Sequence, residues 1–251
     1  MQKSMFTSGS GWRTAMTKRK NHIEYIDLGV MDYRQALDYQ EDLFNRIVEF
    51  KRGEGKTDRP GQYLLTCEHP HVYTLGKSGD EANLLIRKDF LRKIKATYYR
   101  TNRGGDITYH GPGQVVGYPI LDLEVLGIGL KQYVTLLEDA IIDLLETYDI
   151  ISSPMNGATG VWLDANHPAK ARKICAIGIR SSRHVTMHGF ALNVNTNLDY
   201  FSYINPCGFE TKGVTSMAGE LKEAVDIEQV KLELSQILIR RLLSQGPSAG
   251  A

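Results

Sequence analysis

Cys207 has the strongest claim to chemistry in this chain. It stands in INPCGF (204–209), between Pro206 and Gly208 in a predicted turn. A cysteine in a strand or helix is usually a small buried hydrophobe. A Pro-Cys-Gly turn instead presents its thiol at a surface or cleft. A free thiol ionises near pH ~8.5, so nucleophilic work at neutral pH needs a cation or base beside it. Lys173, His188 and His110 are the candidates. Lys173 opens the apolar run KICAIGIR, where its ammonium either finds a partner or reaches solvent from the strand end. His188 precedes GFALN. A Cys207–His188 couple would have the outline of a cysteine hydrolase, without a clear third group to orient the imidazole. Cys175, two residues from Lys173, is expected on the same face of a strand and reads as a core residue.

The second concentration of chemistry is RGGDITYHGPGQ (103–114). Gly104 and Gly105 let the backbone turn or approach a ligand, and Gly111, Pro112 and Gly113 form a second tight turn. The spacing fits neither a dinucleotide fingerprint nor a phosphate-binding P-loop. It is compatible with two structural turns around a short strand ITY, but a ligand-lining loop fits better. The tripeptide GKT (55–57) has the ending of a P-loop. Phe50 stands where that motif needs its first glycine, and a helix precedes it where a strand should, so it is discarded. CEHPHVY (67–73) sets Cys67, His69 and His71 at alternate positions. That is a weak zinc pattern without a second ligand cluster. The histidines are expected to line or buttress a cleft.

Lys173 and Cys207 lie 34 positions apart, so the fold must bring them together. IEYIDLG (23–29) alternates like a strand, and Asp32 caps a predicted helix to about Arg52, ended by Gly53. Strands are predicted at 62–69, 97–101, 115–121, 159–164, 173–181 and 189–195. Helices are predicted near 86–95 and 130–148, and over 226–244 behind the cap Asp226. Without a regular strand–helix alternation, the class is α/β (α+β), a mixed sheet flanked by helices.

The 251 residues suit one catalytic domain, 22–245, with a loose tail at 246–251. A net charge of +1 sets up no field for nucleic acid or membrane, and no apolar run approaches the roughly 20 residues of a membrane span. The three cysteines suggest free thiols in a reducing compartment. Residues 1–21 hold Lys3, Arg13, Lys18, Arg19 and Lys20 and no acid. They read as a disordered basic leader ahead of an internal start at Met16, with a transit peptide as the alternative. The cytoplasm is therefore the expected location, or the mitochondrial matrix if the leader is a transit peptide.

RGGDITYHGPGQ, KICAIGIR, VTMHGFALNVN, and PCG followed by GVTSM occur in this order over residues 23–222. Together they resemble the lipoyl(octanoyl) transferases of lipoate biosynthesis. The resemblance implies a fold similar to the catalytic domains of biotin protein ligase and lipoate ligase. It implies octanoyl transfer from acyl carrier protein to a lysine of apo lipoyl domains, in 2-oxoacid dehydrogenase E2 subunits and the glycine cleavage H protein. On it, Cys207 is the acyl-thioester nucleophile and Lys173 its partner. Arg103, Gly104, Gly105, Asp106, Ile107, Thr108, Tyr109 and His110 form one substrate-binding segment. Ala176, Ile177 and Gly178 form a second, and Gly189, Phe190 and Ala191 a third. The loop glycines would let backbone approach the acyl chain. No cofactor, ATP or metal is implied, because a thioester is already activated, and a monomer is expected. Arg87, Lys88, Arg92 and Lys93 could offer a basic face to acidic carrier or acceptor domains. The rival readings are an ATP-dependent lipoate or biotin ligase, a cysteine acyl-hydrolase, and a carrier-binding module without turnover.

Overall fold

The computed structural model describes residues 22–54, 58–205 and 213–245. The basic leader, the GKT tripeptide, Cys207 with its flanking Pro206 and Gly208, and the tail at 246–251 lie outside the described residues.

The chain begins with β1 (Ile23–Val30) and α1 (Tyr33–Lys51). Asp32 caps the helix by accepting hydrogen bonds from the Arg34 and Gln35 amides, which satisfies two of the first-turn donors. Then come β2 (Gln62–Glu68), β3 (Val72–Leu75), the short α2 (Lys88–Lys93), β4 (Thr97–Arg100), β5 (Ile107–His110) and β6 (Gln114–Ile120). The helices α3 (Leu123–Leu126) and α4 (Leu130–Glu146) lead to β7 (Ser153–Met155), β8 (Ala158–Leu163), β9 (Arg172–Ser182) and β10 (Val185–Asn193). A 3-10 turn at Leu198–Tyr203, the two-residue β11 (Gly213–Val214), α5 (Met217–Leu221) and α6 (Ile227–Leu243) complete the described chain.

Among the described residues, eight strands form one mixed sheet in the order β1-β2-β6-β10-β9-β8-β7, with β11 added against β9. The β1–β2 and β9–β11 pairs are parallel and the rest antiparallel. Its central strands are apolar on both sides because both faces are covered. Leu65, Val116 and Ala191 pack against the apolar stripe of α1, whereas their neighbours Leu64, Val115 and Leu192 pack under α4 and α6. The three-stranded sheet β4-β3-β5 carries its own core with the 3-10 turn, including Tyr73, Tyr109, Leu91 and Phe201.

The sequence anticipates α1, α4 and α6 to within two residues at each end. It misses β3, which continues the histidine-bearing run after a short break at residues 69–71, and it overextends α2. It also starts β10 four residues late. The β9–β10 hairpin turns on Arg183 and His184, with φ of 50° and 62°. That left-handed pair normally signals itself through Asn or Gly, and here it does not.

Candidate active site

The two sheets meet at a cavity lined from β5, β6, β8, β9, β10, β11 and the loop before β5. Of the fourteen expected substrate residues, thirteen line it: Arg103, Gly104, Gly105, Asp106, Ile107, Thr108, His110, Ala176, Ile177, Gly178, Gly189, Phe190 and Ala191. Tyr109 does not. Alternation along β5 turns it into the small core, where its hydroxyl meets His71 Nδ1 at 2.7 Å and its ring stacks on Tyr200.

Lys173 also lines the cavity, and a β-bulge puts it there. On β8, Val161 and Trp162 are consecutive, but they pair with Cys175 and Lys173 on β9, so Ile174 is the extra residue. Ile174 and Cys175 both enter the core under α4, and Ala176 and Gly178 face the cavity. Unbroken alternation would have sent Lys173 into that core with Cys175. The bulge inverts the parity and re-aims the lysine. The expectation that the two residues share a face is therefore overturned. Gly160 makes room for the bulge: it has φ of 121°, and a Cβ there would lie 2.4 Å from the Cys175 carbonyl oxygen. The Lys173 ammonium donates to the Thr159 carbonyl at 3.2 Å and lies 4.6 Å from the centre of the Trp162 ring.

The glycine-rich loop holds itself by polar contacts. The Arg103 side chain is buried and donates to Thr74 O (2.6 Å), Thr74 Oγ1, Gly104 O (3.0 Å) and Asp106 O (2.7 Å). The guanidinium thus binds the loop to β3 while one edge faces the cavity. The Gly104 amide donates to Ile179 O at 2.9 Å, clipping the loop onto β9. A Cβ at Gly178 would come within 2.9 Å of Gly104 O, and one at Gly189 within 2.2 Å of Gly117 O. At these two positions the missing side chain lets neighbouring backbones touch.

A buried polar layer backs the cavity. His110 donates through Nδ1 to Gln114 Oε1 (2.8 Å), and His188 pairs through Nε2 with Asn102 Oδ1 (2.9 Å). Burial is the main cause that pushes each imidazole pKa down to about 3, with the Arg103 charge adding to it. Both rings are therefore neutral at pH 7. His188 also has φ of 56°, a sparsely populated conformation that tends to occur at functional sites. His69 bonds Met31 O (2.7 Å) and the Tyr118 hydroxyl (2.6 Å), with Cys67 Sγ at 3.4 Å. His71 faces away and stacks on Tyr200 at 4.1 Å. Among the described residues, no three His, Cys, Asp or Glu side chains gather closely enough to hold a metal ion, and His71 points away from Cys67 and His69. Cys67 and Cys175 are buried, and desolvation pushes both thiols well above their ordinary value.

Sequence reasoning missed Tyr33, Gln114, Tyr118, Trp162, Asn193 and Val214 as cavity residues. Gln114 and Asn193 sit at the ends of the quoted motifs and were within reach. Tyr33 arrives from α1 and Val214 from β11, and only long-range packing places them.

The model of the lipoyl protein ligase A/B catalytic domain matches residues 32–239. An octanoyltransferase of Parabacteroides distasonis is 54% identical over 217 residues, covering 86% of this chain and 97% of that protein. One from Bacteroides fragilis is 52% identical over 220 residues, covering 87% and 97%. Among solved structures, a bipartite lipoate protein ligase from Thermoplasma acidophilum superposes with a TM-score of 0.62 at 16% identity, over 88% of this chain and 84% of that one. A lipoate-protein ligase A bound with ATP gives 0.59 at 16% identity, over 88% and 85%. The fold is thus the mixed-sheet fold of the lipoate ligases, as expected. The chain belongs to the lipoyl protein ligase A/B catalytic-domain family and stands among its octanoyltransferases, acyltransferases that modify proteins in lipoate biosynthesis.

Proposed function

We propose that the octanoyl group passes through a thioester on Cys207, with Lys173 as the acid and base that serves it. The observation that carries this reading is the bulge that turns Lys173 into the cavity. β11 supports it: Val214 pairs with Lys173, and the chain reaches β11 six residues after Cys207. The donor is octanoyl-acyl carrier protein. The acceptor lysine belongs to apo lipoyl domains of 2-oxoacid dehydrogenases or to the glycine cleavage H protein. Exposed Arg87, Arg92 and Lys93 offer these partners a basic face.

The Cys207 thiolate attacks the donor carbonyl, and the bond from that carbonyl to the pantetheine sulfur breaks. The departing thiolate takes a proton from the Lys173 ammonium. Neutral Lys173 then takes a proton from the acceptor amine as it attacks the enzyme thioester. An amide forms, the Cys207 thiolate leaves, and Lys173 is again an ammonium. Arg103 to His110, Ala176 to Gly178 and Gly189 to Ala191 wall the acyl chain, with Tyr109 supporting from behind. The scheme uses no ATP, cofactor or metal, and a single chain supplies every residue. No helix among the described residues is long and apolar enough to cross a membrane. The bacterial relatives favour the cytoplasm over the matrix.

The test is intact-protein mass spectrometry after mixing with octanoyl-acyl carrier protein, without acceptor or ATP. A hydroxylamine-labile octanoyl adduct on Cys207, absent from Cys207→Ala together with turnover, is expected. Near-normal turnover of Cys207→Ala would exclude this nucleophile.

A further inference from the structure

Lys173 has a neighbour whose bonds the proposed chemistry does not use. Arg172 precedes it and, by alternation, faces the other side of β9, away from the cavity. Its guanidinium donates Nε to Glu220 Oε1 (2.8 Å) and Nη2 to Glu220 Oε2 (2.7 Å), and Nη1 pairs with Asp164. Glu220 Oε1 also accepts the Thr215 hydroxyl at 2.5 Å. Thr215 is buried, and each of its polar groups has a partner. Its amide donates to Lys173 O at 2.9 Å, and its carbonyl accepts from Asn193 Nδ2 at 2.9 Å. Asn193 Oδ1 in turn accepts from Gln114 Nε2 (2.9 Å), and Gln114 holds His110 on the cavity wall.

These bonds join the end of β8, the start of β9, β10 and the residue after β11. β11 is two residues long and pairs β9 only at Arg172 and Lys173. So short a ladder holds little by itself. A bidentate arginine–carboxylate pair, by contrast, fixes two segments in both distance and plane.

We propose that Thr215, Glu220 and Arg172 are positioning residues for acyl transfer. They clamp β11 beside Lys173 without touching substrate. The inference rests on the assignment of Lys173 and Cys207 above. It assigns Glu220 a role in the geometry of the reacting pair beyond its contribution to folding.

Thr215→Val keeps the shape and removes the hydroxyl, Thr215→Ser restores it, and Glu220→Gln weakens the hold on Arg172. The readouts are steady-state octanoyl transfer, thermal midpoint, and the pH dependence of iodoacetamide alkylation at Cys207, followed by mass spectrometry. Displacement of reacting groups by about 1 Å costs on the order of 100-fold in rate. For Thr215→Val we expect kcat to fall at least tenfold, donor KM to stay within about twofold, and the alkylation midpoint to rise toward the free-thiol value of about 8.5. Glu220→Gln should move the same quantities less, and Thr215→Ser should return them toward the parent. A lower thermal midpoint with kcat and the alkylation profile unchanged would reduce the clamp to a folding element and overturn the proposal. If Thr215→Val does not fold, Glu220→Gln decides by the same two readouts. Lys173→Ala separates the two claims: if it leaves the alkylation profile unchanged, the Lys173–Cys207 pairing fails whatever the clamp variants do.

Discussion

The cavity has two walls built on different plans. The wall formed by the loop at 103–106 and β10 is tied at many points: Arg103 spans three carbonyls, and the neighbouring backbones touch where Gly178 and Gly189 lack side chains. At the other end of the cavity, β9 is still paired to β10, but the aim of Lys173 depends on a single bulge against β8 and on the two-residue β11. The first plan suits a surface whose shape must not change as an acyl chain enters. The second suits a reactive group that must point against the alternation of its own strand. Lys173 faces the cavity because one residue, Ile174, breaks the pairing rule next to it.

The sharpest way to break this comparison is Gly160→Ala. A Cβ there would meet the Cys175 carbonyl at 2.4 Å on a backbone with φ of 121°, so the bulge must shift. We expect kcat for octanoyl transfer to fall about 100-fold, with donor KM changing far less. A raised KM with kcat intact would show that this wall binds rather than aims.

Arg103→Met tests the other wall. It takes a donor from the buried Thr74 carbonyl and hydroxyl and from the half-buried Gly104 carbonyl, while the Asp106 carbonyl keeps the Gly76 amide; a buried group left without a donor costs about 1–3 kcal/mol. A loss of roughly 3 kcal/mol in denaturant unfolding is expected, with donor KM raised and kcat at saturation largely kept. An equal fall in kcat would erase the division between the walls.

The smallest effect concerns the neutral histidines behind the cavity. His110 and His188 have folded pKa values near 3, below the unfolded value of about 6.5. Between those limits the unfolded chain binds more protons, so stability should fall as pH drops below about 6.5 and keep falling toward 3. His188→Asn, which tolerates positive φ, should flatten the decline in thermal midpoint between pH 7 and 5. A slope unchanged by the variant would count against a neutral His188.

The amino-acid sequence by itself determined what depends on near neighbours. The 3.6-residue stripes of α1, α4 and α6, the Asp32 cap and the doubly apolar central strands are local patterns, and helices and buried strands follow from them. Membership in the family was legible in four motifs, and about half of the residues in those motifs line one cavity. What only the tertiary structure decided is register. Period-two reasoning put Lys173 and Cys175 on one face, and the family resemblance set Tyr109 among the substrate-binding residues. The bulge at Ile174 and the alternation of β5 reverse both, because a strand's phase is set by pairing with distant residues. The role of β11 was equally out of reach. Two residues carry no periodic signal, and the Thr215–Glu220–Arg172 contacts that hold them join segments up to 48 positions apart.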